Sequence, residues 1–184
     1  LVEDGAPAEV TRLPDRIVAV SEKTKEVLVG KLGLLPERIS VVQNGVDLEL
    51  INSIEAEKED KKIVYAGRLL PHKNVDALIR AMPGILREIP GAKLTIVGDG
   101  PMKEELIRLT EGLNLKGSVE WKGVLDYPSV LKEIKSSTIL VLPSTREGSG
   151  MVVLEAMAAG TPVLAVRADG SAAAEVLGEG RGAL

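Results

Sequence analysis

Short β-branched apolar runs alternate with stretches of helical spacing along almost the whole chain, and this alternation most narrows the folds open to it. RIVAVS (16–21) predicts a strand and EKTKEVLVGKL (22–32) a helix, capped by Ser21 and stopped by Gly33. RISVVQ (38–43) predicts a second strand, running into an Asn-Gly turn at NGVD (44–47). Residues 49–61 turn acidic and polar and read as a hinge or linker. A second series starts with a strand at KIVYAG (62–67). It continues with a helix from 74 or 75 to 89, kinked at Pro83, and a strand at KLTIVG (93–98). A helix at 101–112, a strand at SVEWKG (118–123) and a helix at 128–137 follow. The run TILVLPS (138–144) is continuously apolar, as befits a strand covered on both faces. A helix at 151–159, a strand at PVLAV (162–166) and a last helix at about 172–177 complete the series. This order predicts an α/β fold, a doubly wound and mainly parallel sheet with helices on both faces. Ligands of such sheets bind outside the carboxyl ends of the strands.

Composition removes several classes of function. The chain holds one Trp, two Tyr and no Phe, so it offers few platforms for stacking bases. Its net charge of −4 disfavours nucleic acid and anionic membranes, which both call for excess cations. Without cysteine there is no disulfide, thiolate nucleophile or zinc-thiolate site, which fits a cytoplasmic protein. LVEDGAPAEV (1–10) does not have the form of a signal peptide, and no apolar run approaches the roughly 20 residues that span a bilayer.

The strand-end loops carry the candidate chemistry. In REGSGMVVLEAMAAGTPV (146–163), Gly148 and Gly150 precede a run of helix formers. The amides of Ser149, Gly150, Met151 and Val152 would point outward at the helix start and form an anion site; equally, the glycines could serve a tight turn alone. Glu147 lies just outside the helix and Glu155 one turn inside it, among apolar residues. Carboxylates so placed suit hydroxyl donors such as sugar diols, although Glu155 could simply answer the helix dipole and Glu147 could be a loop charge. In AGRLLPHKN (66–74), Arg68 and Lys73 set two cations over one strand end, which suits a diphosphate or an ordinary charged surface. His72, the only histidine, reads as a loop residue without a catalytic role.

Other signatures are missing. No Gly-x-x-x-x-Gly-Lys-Ser/Thr loop occurs, and GDGP (98–101) lacks the third glycine of a dinucleotide fingerprint. No Asp-x-Asp pair is present to hold a divalent metal beside a diphosphate, so charge neutralisation would fall to Arg68, Lys73 and the helix start.

In order and spacing, AVSEKTKEVL, ISVVQNGVD, IVYAGRLLPHKN, LTIVGDGP, VEWKGVL, ILVLPSTREGSGMVVLEAMAAGTPVLA and ADGSAAAEVL together resemble the C-terminal, donor-binding domain of the glycosyltransferases of family 4, the group 1 glycosyl transferases. The resemblance implies the GT-B architecture of two facing Rossmann-like domains. It implies a retaining, metal-independent transfer from a nucleotide-diphosphate sugar to an acceptor, with no cofactor. It assigns Arg68 and Lys73 to the donor diphosphate and Glu147 to hydroxyls of the donor sugar. Glu155 takes the ribose, the backbone around Val124 and Leu125 meets the base, and the amides near Gly150 and Met151 hold the distal phosphate. Ser149 departs from the family, which usually has an aromatic or larger apolar residue there.

By the same resemblance, residues 1–47 correspond to the last strand-helix-strand of an N-terminal domain plus the hinge. Residues 48–184 form the nucleotide-sugar domain, with GRGAL (180–184) opening a further strand. The acceptor site and the family's catalytic histidine belong to the N-terminal domain, so the chain alone is expected to bind a donor without transferring it. A sugar-nucleotide epimerase of the same architecture and a non-catalytic nucleotide-sugar binding module are the alternatives.

Overall fold

A computed structural model describes residues 14–178, which form two compact units divided between Asn44 and Gly45. LVEDGAPAEV and GRGAL lie outside the described residues.

The first unit is a strand-helix-strand. Strand β1 (Ile17–Ala19) pairs in parallel with β2 (Ile39–Val41), and helix α1 (Glu22–Leu32) connects them. The Ser21 hydroxyl accepts the Thr24 amide at the start of α1, and Gly33 ends the helix at φ 65°. Ala19, Leu28 and Ile39 form its small core.

The second unit opens with helix α2 (Leu48–Ser53), where the sequence reads as a linker. The polar composition of 49–61 hides a helix start. Asp47 caps it by accepting the Leu50 amide at 2.9 Å, and Ile51, only 1% exposed, anchors it. One buried side chain and one cap suffice for a six-residue helix, and neither registers as an apolar period.

Strands β3 (Lys62–Ala66), β4 (Lys93–Val97), β5 (Val119–Gly123), β6 (Ile139–Leu142) and β8 (Val163–Ala165) make one parallel sheet in the order β5-β4-β3-β6-β8. Helices α3 (Val75–Glu88) and α4 (Lys103–Gly112) carry the chain outward from β3 to β5. Helices α5 (Tyr127–Ser136) and α6 (Met151–Ala158) carry it back past β3 to β6 and β8. Right-handed crossovers put the two helix pairs on opposite faces. The order therefore reverses between β3 and β6, and their carboxyl ends flank the crevice where such sheets bind ligands.

The core runs through Val64, Tyr65, Ile79, Met82, Leu94, Ile96, Ile134, Leu140 and Val153. β6 corrects the expectation of a strand covered on both faces. Leu140 and Leu142 are buried, whereas Ile139 and Val141 are half-buried and, with Ile63 and Leu164, line an apolar cleft of about 430 Å³ beside α3. Ala77, Leu78 and Ala81 of α3 form the opposite wall of that cleft. No helix among the described residues is long and apolar enough to cross a membrane.

The two glycines of GDGP have a packing role. A Cβ on Gly98 would lie 1.9 Å from the Gly67 carbonyl oxygen, and one on Gly100 2.4 Å from that of Leu69. The loops after β3 and β4 touch backbone to backbone, joined by Leu69 N–H to Asp99 O at 2.9 Å and Met102 N–H to Leu69 O at 3.1 Å.

Candidate functional site

The loops after β3 and β6 meet at the reversal of strand order. Tyr65 is fully buried on β3, and its hydroxyl donates to the Arg68 carbonyl at 2.9 Å, which fixes the backbone that carries Arg68. Burial, and then the charge of Glu147, hold the Tyr65 phenol in its protonated, donating form. The Arg68 side chain is exposed and has no ion-pair partner among the described residues. The chain then makes a single 3-10 turn at Pro71–Lys73, and Asn74 leaves it at φ 49°, a left-handed conformation that asparagine tolerates.

Four bonds stitch this loop to the one after β6, one of them from the Thr145 hydroxyl to the His72 carbonyl at 3.3 Å. Asn74 Nδ2 donates to the Pro143 carbonyl at 3.2 Å, Thr145 N–H donates to the His72 carbonyl at 3.0 Å, and Lys73 Nζ lies 2.8 Å from Glu147 Oε1. The Lys73–Glu147 pair is largely buried, with side chains 15% and 12% exposed. Two residues assigned separately to phosphate and sugar are thus joined. Glu147 is held by strand pairing: Arg146–Glu147 forms the short β7, parallel to β9 (Gly170–Ser171), and the Glu147 carbonyl accepts the Ala172 amide. Helix α7 (Ala173–Leu177) follows.

The two glycines of the loop do different things. Gly150, at φ 62°, is the N-cap of α6, and a Cβ there would lie 3.3 Å from Val176 Cγ2. That glycine is demanded by conformation and by close packing on α7. A Cβ on Gly148 would meet nothing within 4 Å. Packing does not demand glycine there, and its bare backbone borders open space. The first α6 amides to bond back, those of Val153 and Leu154, both reach Gly150 O. The Met151 and Val152 amides precede them at the helix start, where intrahelical partners are lacking. Ser149 is half-buried.

Glu155 is 8% exposed between the fully buried Val153 and Ala156. Burial pushes its carboxyl above the ordinary range, and hydrogen bonding from Tyr127 offsets part of that rise. Val124 projects from the end of β5 and is 77% exposed, while Leu125 packs on the core.

Of the residues singled out in the sequence, Lys73 and Glu147 are brought into direct contact, while Arg68 lies on the same loop as Lys73 and the α6 start follows Glu147 in the chain. Glu155 lies inside α6, one turn beyond its start, and has no ion-pair partner among the described residues. Sequence reasoning missed Tyr65, which braces the loop after its own strand, and Asn74, whose bond to Pro143 joins two strand-end loops. It also gave no sign that the His72 Nε2 and Ser144 Oγ atoms are buried without hydrogen-bond partners.

Residues 47–184 match the family described as glycosyl transferases group 1, and residues 7–50 match glycosyltransferase family 4. An uncharacterized glycosyltransferase of Methanocaldococcus jannaschii is 36% identical over 162 residues, spanning 81% of this chain and 41% of that protein. The chain therefore covers about two fifths of the length of this relative. Crystal structures of S. aureus TarM in complex with Fondaparinux, alpha-GlcNAc-glycerol and UDP, and of Anabaena HepE in complex with UDP and glucose, share the fold. Their TM-scores are 0.81 and 0.78, at 21% and 24% identity, over 96% of this chain and 35% and 52% of theirs. With its parallel sheet, its stitched strand-end loops and a family match over most of its length, the chain belongs to the group 1 glycosyl transferases.

Proposed function

We propose that the chain is the donor-binding portion of a retaining, metal-independent glycosyltransferase that moves a sugar from a nucleotide-diphosphate sugar to an acceptor. The carrying observation is the largely buried Lys73–Glu147 pair, which joins the loop that holds Arg68 to the loop that leads into α6, where strand order reverses. Arg68 and Lys73 take the diphosphate, and the Met151 and Val152 amides take the phosphate nearest the sugar. Glu147 takes hydroxyls of the sugar, Glu155 takes the ribose diol, and the backbone at Val124 and Leu125 takes the base. The solved relatives that hold UDP support a nucleotide ligand.

When the bond from the anomeric carbon to the phosphate oxygen breaks, its electron pair goes to the diphosphate. Two cations and a helix start fixed in advance at that oxygen stabilise the growing charge without reorganising. In this reading they replace a metal ion. The acceptor and the group that takes its proton come from the other domain, to which residues 1–47 belong, as the family match at residues 7–50 supports.

Calorimetry with UDP, GDP and ADP in EDTA, at rising salt, tests the reading. Expected is metal-independent binding that weakens as salt screens the phosphate contacts. A strict requirement for magnesium or manganese overturns it.

A further inference from the structure

Asparagine is among the residues best suited to cap a helix with its side chain, and Asn74 does not use it that way. It stands at the N-cap of α3 with no side-chain hydrogen bond to the helix, and the Ala77 amide bonds to its carbonyl at 3.1 Å instead. The side chain reaches to the neighbouring loop, where Nδ2 donates to the Pro143 carbonyl at 3.2 Å, just past the end of β6. Two demands meet at this position. The backbone is left-handed, at φ 49°, which most side chains resist and which glycine, asparagine and aspartate tolerate. A carbonyl only accepts, so its partner must donate, and of those three residues only asparagine has a side-chain N–H.

Lys73 lies between the contacts that join the two loops. On its amino-terminal side, the His72 carbonyl accepts the Thr145 amide at 3.0 Å and the Thr145 hydroxyl at 3.3 Å. On its carboxyl-terminal side stands Asn74 with its bond to Pro143. Both neighbours of Lys73 are thus tied to residues 143–145, and the Lys73 amide itself bonds to the Leu70 carbonyl at 3.0 Å. From that fixed base the flexible four-carbon stem places Nζ 2.8 Å from Glu147 Oε1. A lysine held in place before its ligand arrives loses less freedom on binding.

Building on the phosphate role of Lys73, we infer that Asn74 is a positioning residue of the donor site, whose side-chain bond to Pro143 fixes the backbone that delivers the Lys73 ammonium to the diphosphate. Asn74 itself touches no ligand and acts through Lys73.

The experiment is a double-mutant cycle of Asn74→Gly with Lys73→Met. Glycine keeps the left-handed backbone without strain and removes the bond to Pro143. The tightest binder among UDP, GDP and ADP is titrated by calorimetry into the parent, each single variant and the double variant, with melting temperatures taken on the same proteins. Expected is a roughly three- to ten-fold loss of affinity for Asn74→Gly, the range of one neutral hydrogen bond. Its melting temperature should change little, since relief at φ 49° offsets the lost bond. In the Lys73→Met background the loss of affinity should shrink to about two-fold or less. Lys73→Gln, which can still bond to Glu147, completes the cycle if Lys73→Met is too unstable to titrate. Equal losses in both backgrounds, or none in either, overturn the positioning role. So does a fall in melting temperature with unchanged affinity, the result of a bond that serves stability alone. If removing the Lys73 charge leaves affinity as in the parent, the phosphate role of Lys73 falls, and this inference with it. Binding of none of the three diphosphates removes the nucleotide site altogether.

Discussion

Replacing Glu147 with Gln should move stability and ligand affinity in opposite directions. The change keeps the shape of the side chain and removes its charge beside Lys73, 2.8 Å away, in a pair whose side chains are 15% and 12% exposed. Removing one partner of a fully buried pair costs about 3–5 kcal/mol, and exposed pairs are worth about 0–1 kcal/mol. This pair lies toward the buried end, and a glutamine oxygen still accepts from Lys73, so the loss should be about 2 kcal/mol. For a domain of this size that is a fall of about 4–8 °C in melting temperature. A nucleoside diphosphate, which has no sugar for Glu147 to hold, should then bind more tightly. Lys73 no longer has a competing carboxylate, and a negative charge near the phosphates is gone. A gain of roughly five- to ten-fold corresponds to about 1–1.4 kcal/mol. Lys73→Met is the contrast, because it strands Glu147 and removes a phosphate contact, lowering both stability and affinity. Thermal denaturation with and without nucleoside diphosphate, together with calorimetry, reads all four quantities. A Glu147→Gln protein as stable as the parent that binds the diphosphate more weakly would refute the reasoning.

Gly150→Ala should cost about 1–2 kcal/mol of stability, because a side chain at φ 62° is strained and its Cβ crowds Val176. Gly148→Ala should leave the melting temperature unchanged or slightly raised while weakening nucleotide binding; a stability loss matching that of Gly150→Ala would show that the two glycines share one structural role. Glu155→Gln probes linkage. The raised carboxyl pKa means that the folded state favours neutral Glu155. The stability this gives is full below the ordinary value of 4.5 and is lost as pH rises through the higher folded value. The advantage in melting temperature of Glu155→Gln over the parent should therefore grow from acid to neutral pH, and a difference that does not vary with pH contradicts the burial argument. Tyr65→Phe should cost about 1 kcal/mol and weaken diphosphate binding through the loosened Arg68 loop; unchanged binding would show that Arg68 needs no such support.

The sequence alone determined the five strands of the main sheet and the helices between them, because β-branched runs and helical spacing are local properties that burial selects residue by residue. Ser21 as a cap and Gly33 as a stop were legible for the same reason, since each acts on amides or carbonyls within a few residues. Arg68, Lys73 and the α6 start stood out as strand-end chemistry, and a family resemblance gave them roles. The short α2 stayed hidden, because one buried isoleucine and one capping aspartate leave no period to read. The half-open face of β6 was equally hidden, since an apolar run does not say which neighbour covers it. Only the tertiary structure set the strand order β5-β4-β3-β6-β8, and with it the meeting of two loops more than seventy residues apart. Lys73 with Glu147 and Asn74 with Pro143 depend on side-chain directions at strand and helix ends. Those directions follow from how the helices pack on the sheet, and no local pattern encodes them.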